Sequence, residues 1–328
     1  MKVYRSKEFD ISNPMIWKSR ILKLGDGPVF VAKAIVTGLE FMANKISFGP
    51  LVFRRYDQEK DKNLGLWSGR CCVLELKFQD EVINPPQDTP LSMYVYPFWA
   101  MYSIFIALQL YVDSWVGMKE IHYFNKRGKH VGAFGGRITE VADSRSITKE
   151  PVVKRLSRRR LLKLMKVQYG LLELAIDRYS RACTEIVDES IIDFVIVLES
   201  LLGIGLGSEI AHRVSMRGTF LLSPNIKIRE QYYAVFKYFY DLRSKMVHGK
   251  IDEIKCPGRN SKSRVALVNL GAELSGEWSE DRFEISDIAR KLTRKVLLYF
   301  VDHEDKWNDI FLKRLELDMD RSVKYERL

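Results

Sequence analysis

IKIREQYYAVFKYFYDLRSKMVHG, Ile226 to Gly249, reads as one long helix that carries its own stop signal. Apolar and aromatic side chains return at helical spacing, and Gly249 is the residue type that most easily leaves the helical conformation. Pro224 and Asn225 break the chain just before it. Arg243 and His248 sit near its end. Arginine grips phosphate through a planar fork of donors, and histidine is the side chain whose ordinary pKa suits proton transfer near neutrality. Phosphodiester cleavage uses both. On an ideal helix five residues turn the side chain by about 500°, which leaves Arg243 and His248 about 140° apart. One phosphate can then meet both only if the arginine reaches, the last turn loosens before Gly249, or a second subunit helps.

Working outward from this helix, the whole stretch from about Arg158 to Asp305 is helical in pattern. Leu161, Leu164, Met165, Tyr169, Leu172 and Ile176 keep helical spacing, and Ile186 to Leu202 is a nearly all-apolar helix. Ser208 is placed to cap a third helix that carries Ile210, Ala211, Val214, Phe220 and Leu221. Phe283 to His303 and Trp307 to Met319 complete the set, and Lys250 to Asp281 reads as a polar loop with a hairpin over Val265 to Leu274. Glu199 is the one charge between Val195 and Leu202. A carboxylate on a buried helix needs a partner, and Arg243 is the natural one. Such a pair either orients the arginine for a phosphate or is an ion pair of the fold. Glu209, His212 and Arg213 form a polar cluster that reads mainly as a solvated face. Tyr232, Tyr233, Phe236, Tyr238, Phe239 and Tyr240 are dense enough on one helix to read as core and subunit interface rather than as a base-stacking platform.

Toward the N-terminus the pattern changes. Val29 to Thr37, Lys45 to Arg54 and Cys71 to Phe78 are short β-branched and aromatic runs separated by Gly, Asp, Asn and Pro. Ile121 to Phe134 reads as a hairpin around Asn125-Lys126-Arg127-Gly128, with His122 and His130 as surface residues on either side. Tyr94 to Val112 is close to membrane-spanning length, but Pro97, Ser103 and Gln109 interrupt it and Asp113 follows. It reads as a buried strand leading into a core helix, and no membrane partner is expected. The polar stretch Ala142 to Pro151 reads as a linker. The expected architecture is therefore α+β: a β-rich domain over residues 1–145, then an all-α helical bundle over 146–328.

Charge and cysteine usage bound the function. The 328 residues carry a formal charge of +11 and a pI of about 9.3, a balance that favours polyanionic partners, RNA or DNA first. Lys154 to Lys166 holds seven Lys or Arg and no acid. Lys154, Arg155, Arg158, Arg159, Arg160 and Lys163 are the candidates to track an RNA backbone, the competing reading being a solvated helix face. Cys71, Cys72, Cys183 and Cys256 lack zinc-site spacing and a disulfide framework, so a reducing cytosol is expected, and the polar N-terminus shows no secretory signal. No cofactor or metal-ligand pattern stands out, and there is no Gly-rich phosphate loop or HExxH pair. Gly203 to Gly207, GIGLG, follows a helix and reads as a turn.

Three segments together resemble the HEPN superfamily, most closely its ApeA-like branch. They are DFVIVLESLLGIG (Asp193 to Gly205), SEIAHRVSMRGTFLL (Ser208 to Leu222) and YDLRSKMVHGK (Tyr240 to Lys250). The likeness covers roughly Leu161 to His303. It implies a helical bundle that forms a homodimer and brings two Arg/His motifs into one cleft. It also implies a metal-independent endoribonuclease of a toxin–antitoxin or antiviral defence system, with an antitoxin or defence-system partner. Carried over, Arg243 would hold the phosphate, His248 would move the proton, and Ser244 takes the place after the arginine, where active members commonly carry Asn, Asp or His. Lys250 stands where members paired with a nucleotidyltransferase antitoxin often carry tyrosine. Two readings stay open at this point: an RNA-cleaving enzyme, and a non-catalytic dimeric module that binds RNA, a nucleotide or a protein partner.

Overall fold

The computed structural model describes residues 29–37, 45–48, 51–64, 71–79, 92–112, 115–125, 127–134, 160, 164, 171–203 and 210–303. The expected α+β organisation is what it shows: an antiparallel sheet from the N-terminal half and helices in the C-terminal half. The chain divides into two compact units, Met1–Gln168 and Tyr169–Leu328. The linker read over 142–151, the cap at Ser208 and the final helix over 307–319 lie outside the described residues.

In the first unit the strands are β1 (Val29–Thr37), β2 (Lys45–Phe48), β3 (Leu51–Arg55), β4 (Cys71–Gln79), β5 (Gly117–Met118), β6 (Ile121–Phe124) and β7 (His130–Phe134). Their order is β2-β3-β4-β1-β6-β7, with β5 paired to the end of β1. The central pair runs in full register from Val29 opposite Gln79 to Thr37 opposite Cys71. Alternation sorts the two faces. Ala32, Ala34, Val36, Cys72, Leu74 and Leu76 lie on one face and are buried. Lys33 and Glu75 face each other on the other side at 3.4 Å, and Arg54 joins Glu75 at 2.8 Å. Arg54 also donates to the buried carboxylate of Asp61 at 2.6 Å, tying the segment after β3 back to the sheet. That segment delivers Leu64 into a small core with Ile35, Val73 and Phe124.

Two expectations change here. The run Lys45 to Arg54 is two strands of one hairpin, with Phe48 opposite Leu51. The breaker pair Gly49-Pro50 lies between them in the sequence. The run Tyr94 to Val112 is not a strand plus a helix but one helix, α1 (Ser92–Tyr111). A continuous apolar run lacks the period that would tell a buried strand from a buried helix. Met101, Phe105, Leu108 and Tyr111 of α1 are buried, and buried Gln109 donates to the Val116 carbonyl at 3.3 Å. Among the described residues no helix is long and apolar enough to cross a membrane. The hairpin at Asn125 forms as read: Asn125 Oδ1 accepts from the backbone of Arg127 and Lys129, and Gly128 takes a φ of +74°.

The second unit comprises α2 (Leu171–Ala182), α3 (Val187–Leu202), α4 (Ile210–Leu222), α5 (Ile226–Val247), α6 (Lys262–Asn269) and α7 (Trp278–Asp302). Helix α3 is central: it packs on α2, α4, α5 and α7. Its Ile191, Phe194, Leu198 and Leu201 are buried, as are Val235 and Phe239 of α5 and Leu292, Val296 and Phe300 of α7. Gly218 lets α4 approach α5, since a Cβ there would lie 2.9 Å from the Phe236 ring. The hairpin expected over Val265 to Leu274 is instead α6. Ser261 caps it by accepting from the Arg264 backbone at 3.2 Å, and Ala266 and Leu267 are buried while Val265 and Val268 stay exposed. The cap outweighs the β-branched pattern.

Candidate active site

Helix α5 starts where Asn225 Oδ1 accepts from the backbone of Lys227 at 3.0 Å and Ile228 at 3.4 Å. Phe239 and Leu242 are buried, which fixes the rotation of the last two turns and holds Arg243 at the margin of the core. Helix α3 presents Glu199 to it. The carboxylate and guanidinium meet at 3.5 Å, with side chains 17% and 26% exposed. Glu199 Oε1 and Arg243 Nε are both buried and have no hydrogen-bond partner among the described residues. Burial pushes the Glu199 pKa up, and the arginine charge works against that push. The expected Glu199–Arg243 pair therefore exists, as a single long contact with donor and acceptor capacity left over.

The end of α5 explains His248. The Gly249 backbone N–H donates to the Met246 carbonyl at 3.2 Å and that of Lys250 to the Lys245 carbonyl at 2.9 Å. These two bonds, around a Gly249 φ of +69°, make a Schellman stop. The main chain thus caps its own last carbonyls, and the histidine side chain is not needed for that task. His248 is the C-cap residue, at φ −88° and ψ 9°, and is exposed. No hydrogen bond to its imidazole is present among the described residues. The His248 N–H still donates to the Ser244 carbonyl, so the helix is regular up to this residue and Arg243 and His248 keep their divergence of about 140°. Ser244 is half-buried beside Arg243, and its carbonyl accepts from the His248 backbone at 3.1 Å.

The other sequence candidates divide. Tyr232, Phe236 and Phe239 are core residues. Tyr233 contacts His212 Nδ1 at 2.9 Å, and Tyr238 donates to the Lys255 carbonyl at 3.4 Å. Of the basic run, Arg160 is described: exposed, with its guanidinium 5.5 Å from the Tyr111 ring. Lys154, Arg155, Arg158, Arg159 and Lys163 lie outside the described residues, as does Glu209. His122 is not the surface residue expected. Its side chain is 15% exposed, and burial lowers its pKa.

Sequence reading missed Arg217. It is buried and donates to the Leu202 carbonyl at 2.6 Å, so a guanidinium holds the end of α3 just past Glu199. Its one available signal was an Arg set among the apolar and small residues of the second half of α4. The four cysteines are free thiols. Among the described residues, no group of three or more His, Cys, Asp or Glu side chains is arranged to hold a metal ion. Comparison of the chain with protein-family models, with curated proteins and with solved structures finds no match.

Proposed function

We propose that this protein is a metal-independent endoribonuclease that works as a homodimer through paired Arg243 and His248 side chains. The observation that carries the reading is the underused guanidinium of Arg243. It is held by one 3.5 Å contact, with Nε unpartnered, one turn before an exposed, unengaged imidazole. Nε is buried, but the side chain as a whole is 26% exposed, and a guanidinium so lightly engaged can turn its terminal N–H donors to a phosphate, which accepts from several at once. The likeness of the α3, α4 and α5 segments to the HEPN superfamily adds to it, and with that likeness comes a role as a toxin or antiviral defence effector in the cytosol.

In this mechanism one histidine removes the ribose 2′-OH proton and the oxygen attacks the adjacent phosphorus. The arginines stabilise the charge that builds on the phosphorane oxygens, and the second histidine protonates the leaving 5′-oxygen. The products are a 2′,3′-cyclic phosphate and a 5′-hydroxyl. Glu199 acts as a positioning residue, turning Arg243 toward the phosphate. Ser244, half-buried and next to Arg243 on α5, is the further side chain this reading assigns to the site. The basic run that includes Arg160 supplies the sequence-independent attraction to RNA.

The test is incubation of the purified chain with labelled total RNA and tRNA, with and without EDTA. Cleavage leaving cyclic phosphate ends, unchanged by EDTA and lost in Arg243→Ala and His248→Ala, is the expected result. Cleavage that disappears in EDTA and returns with magnesium excludes the mechanism. RNA binding without cleavage in wild type leaves the binding-module reading in its place.

A further inference from the structure

The first unit carries a histidine pair that this function does not use. His122 on β6 and His130 on β7 approach across the hairpin, with His122 Nδ1 and His130 Nε2 3.2 Å apart. The ring centroids are 5.4 Å apart and the planes are inclined at 48°. The Phe124 ring packs edge-on against the outer imidazole of His130, with centroids 5.4 Å apart and planes inclined at 67°. Neutral imidazoles in this contact share one proton between two nitrogens that each carry a lone pair in their other state.

The spacing is that of a chelate. Two bonds of about 2.0–2.1 Å from imidazole nitrogens to zinc, meeting near the tetrahedral angle, hold the nitrogens about 3.3 Å apart. Glu120 lies on the far side of His122, with Oε2 3.9 Å from Nε2. At that distance Glu120 makes no hydrogen bond to the ring; it places a negative charge near the pair without fixing the tautomer. Lys33, the register partner of His122, opposes a cation only weakly. Its ammonium is 3.4 Å from Glu75 and lies over the Phe124 ring at 5.0 Å. His122 is mostly buried and His130 exposed, so the pair has one fixed arm and one arm open to solvent.

We infer that His122 and His130 form a two-nitrogen chelate for a late first-row transition metal ion such as Zn(II) or Cu(II), with solvent completing the coordination. Imidazole nitrogen suits these ions over magnesium or calcium. The site lies in the unit that does not contain Arg243 and His248, so it stands or falls independently of RNA cleavage.

The experiment uses the untagged full-length chain, stripped of metal and titrated with zinc chloride and with copper(II) sulfate by calorimetry. Wild type should bind one equivalent. His130→Ala, at an exposed position that folding tolerates, should lower affinity by at least tenfold, and His122→Ala should do the same. His212→Ala, in the other unit, should leave it unchanged. The copper complex should show hyperfine splitting from two nitrogens in its electron paramagnetic resonance spectrum, and from one in His130→Ala. Equal binding by wild type and His130→Ala overturns the assignment, as does a copper spectrum with a thiolate signature.

Discussion

At the scale of single residues, the site turns on how far Glu199 restrains Arg243. The pair is neither exposed nor dry, so its loss should fall between the near-zero cost of a surface pair and the several kcal/mol of a buried one. Glu199→Ala should destabilise by about 1–2 kcal/mol. A double-mutant cycle with Arg243→Ala, followed by denaturant unfolding, should return a coupling of about 1 kcal/mol. Additive losses would mean the contact carries no energy. A pH effect follows from burial. The folded-state pKa of Glu199 is raised, so the folded protein holds this proton more tightly than the unfolded chain. The associated cost is present at neutral pH and is relieved as pH falls through the raised folded value. Wild type should therefore gain stability relative to Glu199→Gln as pH falls from 7 to below the ordinary carboxylate value of 4.5. An unchanged difference across that window would place the carboxyl in water.

At the scale of elements, the Schellman stop is what makes His248 available. Gly249 takes φ +69° with nothing within 4 Å of an added Cβ, so a substitution there meets backbone strain and no clash. Gly249→Val should cost about 1–2 kcal/mol, since a β-branched residue is poorly tolerated at positive φ. The more informative readout is cleavage. If the last turn of α5 must loosen to bring the imidazole round, Gly249→Val should lower cleavage by an order of magnitude or more while Gly249→Asn, which tolerates this conformation, retains most of it. Equal activity in the two variants would show that the turn does not set the position of His248. The same element spends Tyr232, Phe236 and Phe239 on the contacts of α5 within the bundle.

At the scale of the whole molecule, one chain offers one arginine and one histidine, whereas the chemistry needs a base and an acid on opposite sides of a phosphorus. A two-fold axis beside the end of α5 would supply both. Light scattering should give about twice the 38.2 kDa chain mass, and dilution to monomer should abolish cleavage. Mixed dimers of wild type and His248→Ala should be severely impaired. Half activity in such dimers would mean two independent sites, and a monomer that cleaves RNA at full rate would overturn the composite site.

Local signals determined most of the architecture, because they are written within a few residues of where they act. Alternation marked β1, β4 and the β6–β7 hairpin. Helical spacing marked α3, α5 and α7, and Gly249 marked the stop that follows α5. The pairing of Glu199 with Arg243 was also legible, since a lone carboxylate in an apolar helix demands a cation and the chain offered one nearby in the fold. Where the local signal is degenerate, tertiary structure decided. The apolar run before Val112 became one helix because a continuous apolar stretch has no period. The valines of α6 turned helical because the Ser261 cap and burial of Ala266 and Leu267 outweigh β propensity. The approach of His122 to His130, the hold of Arg217 on Leu202 and the spare donors of Arg243 depend on distances between residues far apart along an element or in different ones. No pattern of neighbours encodes such distances; they follow from how the sheet twists and how the helices pack.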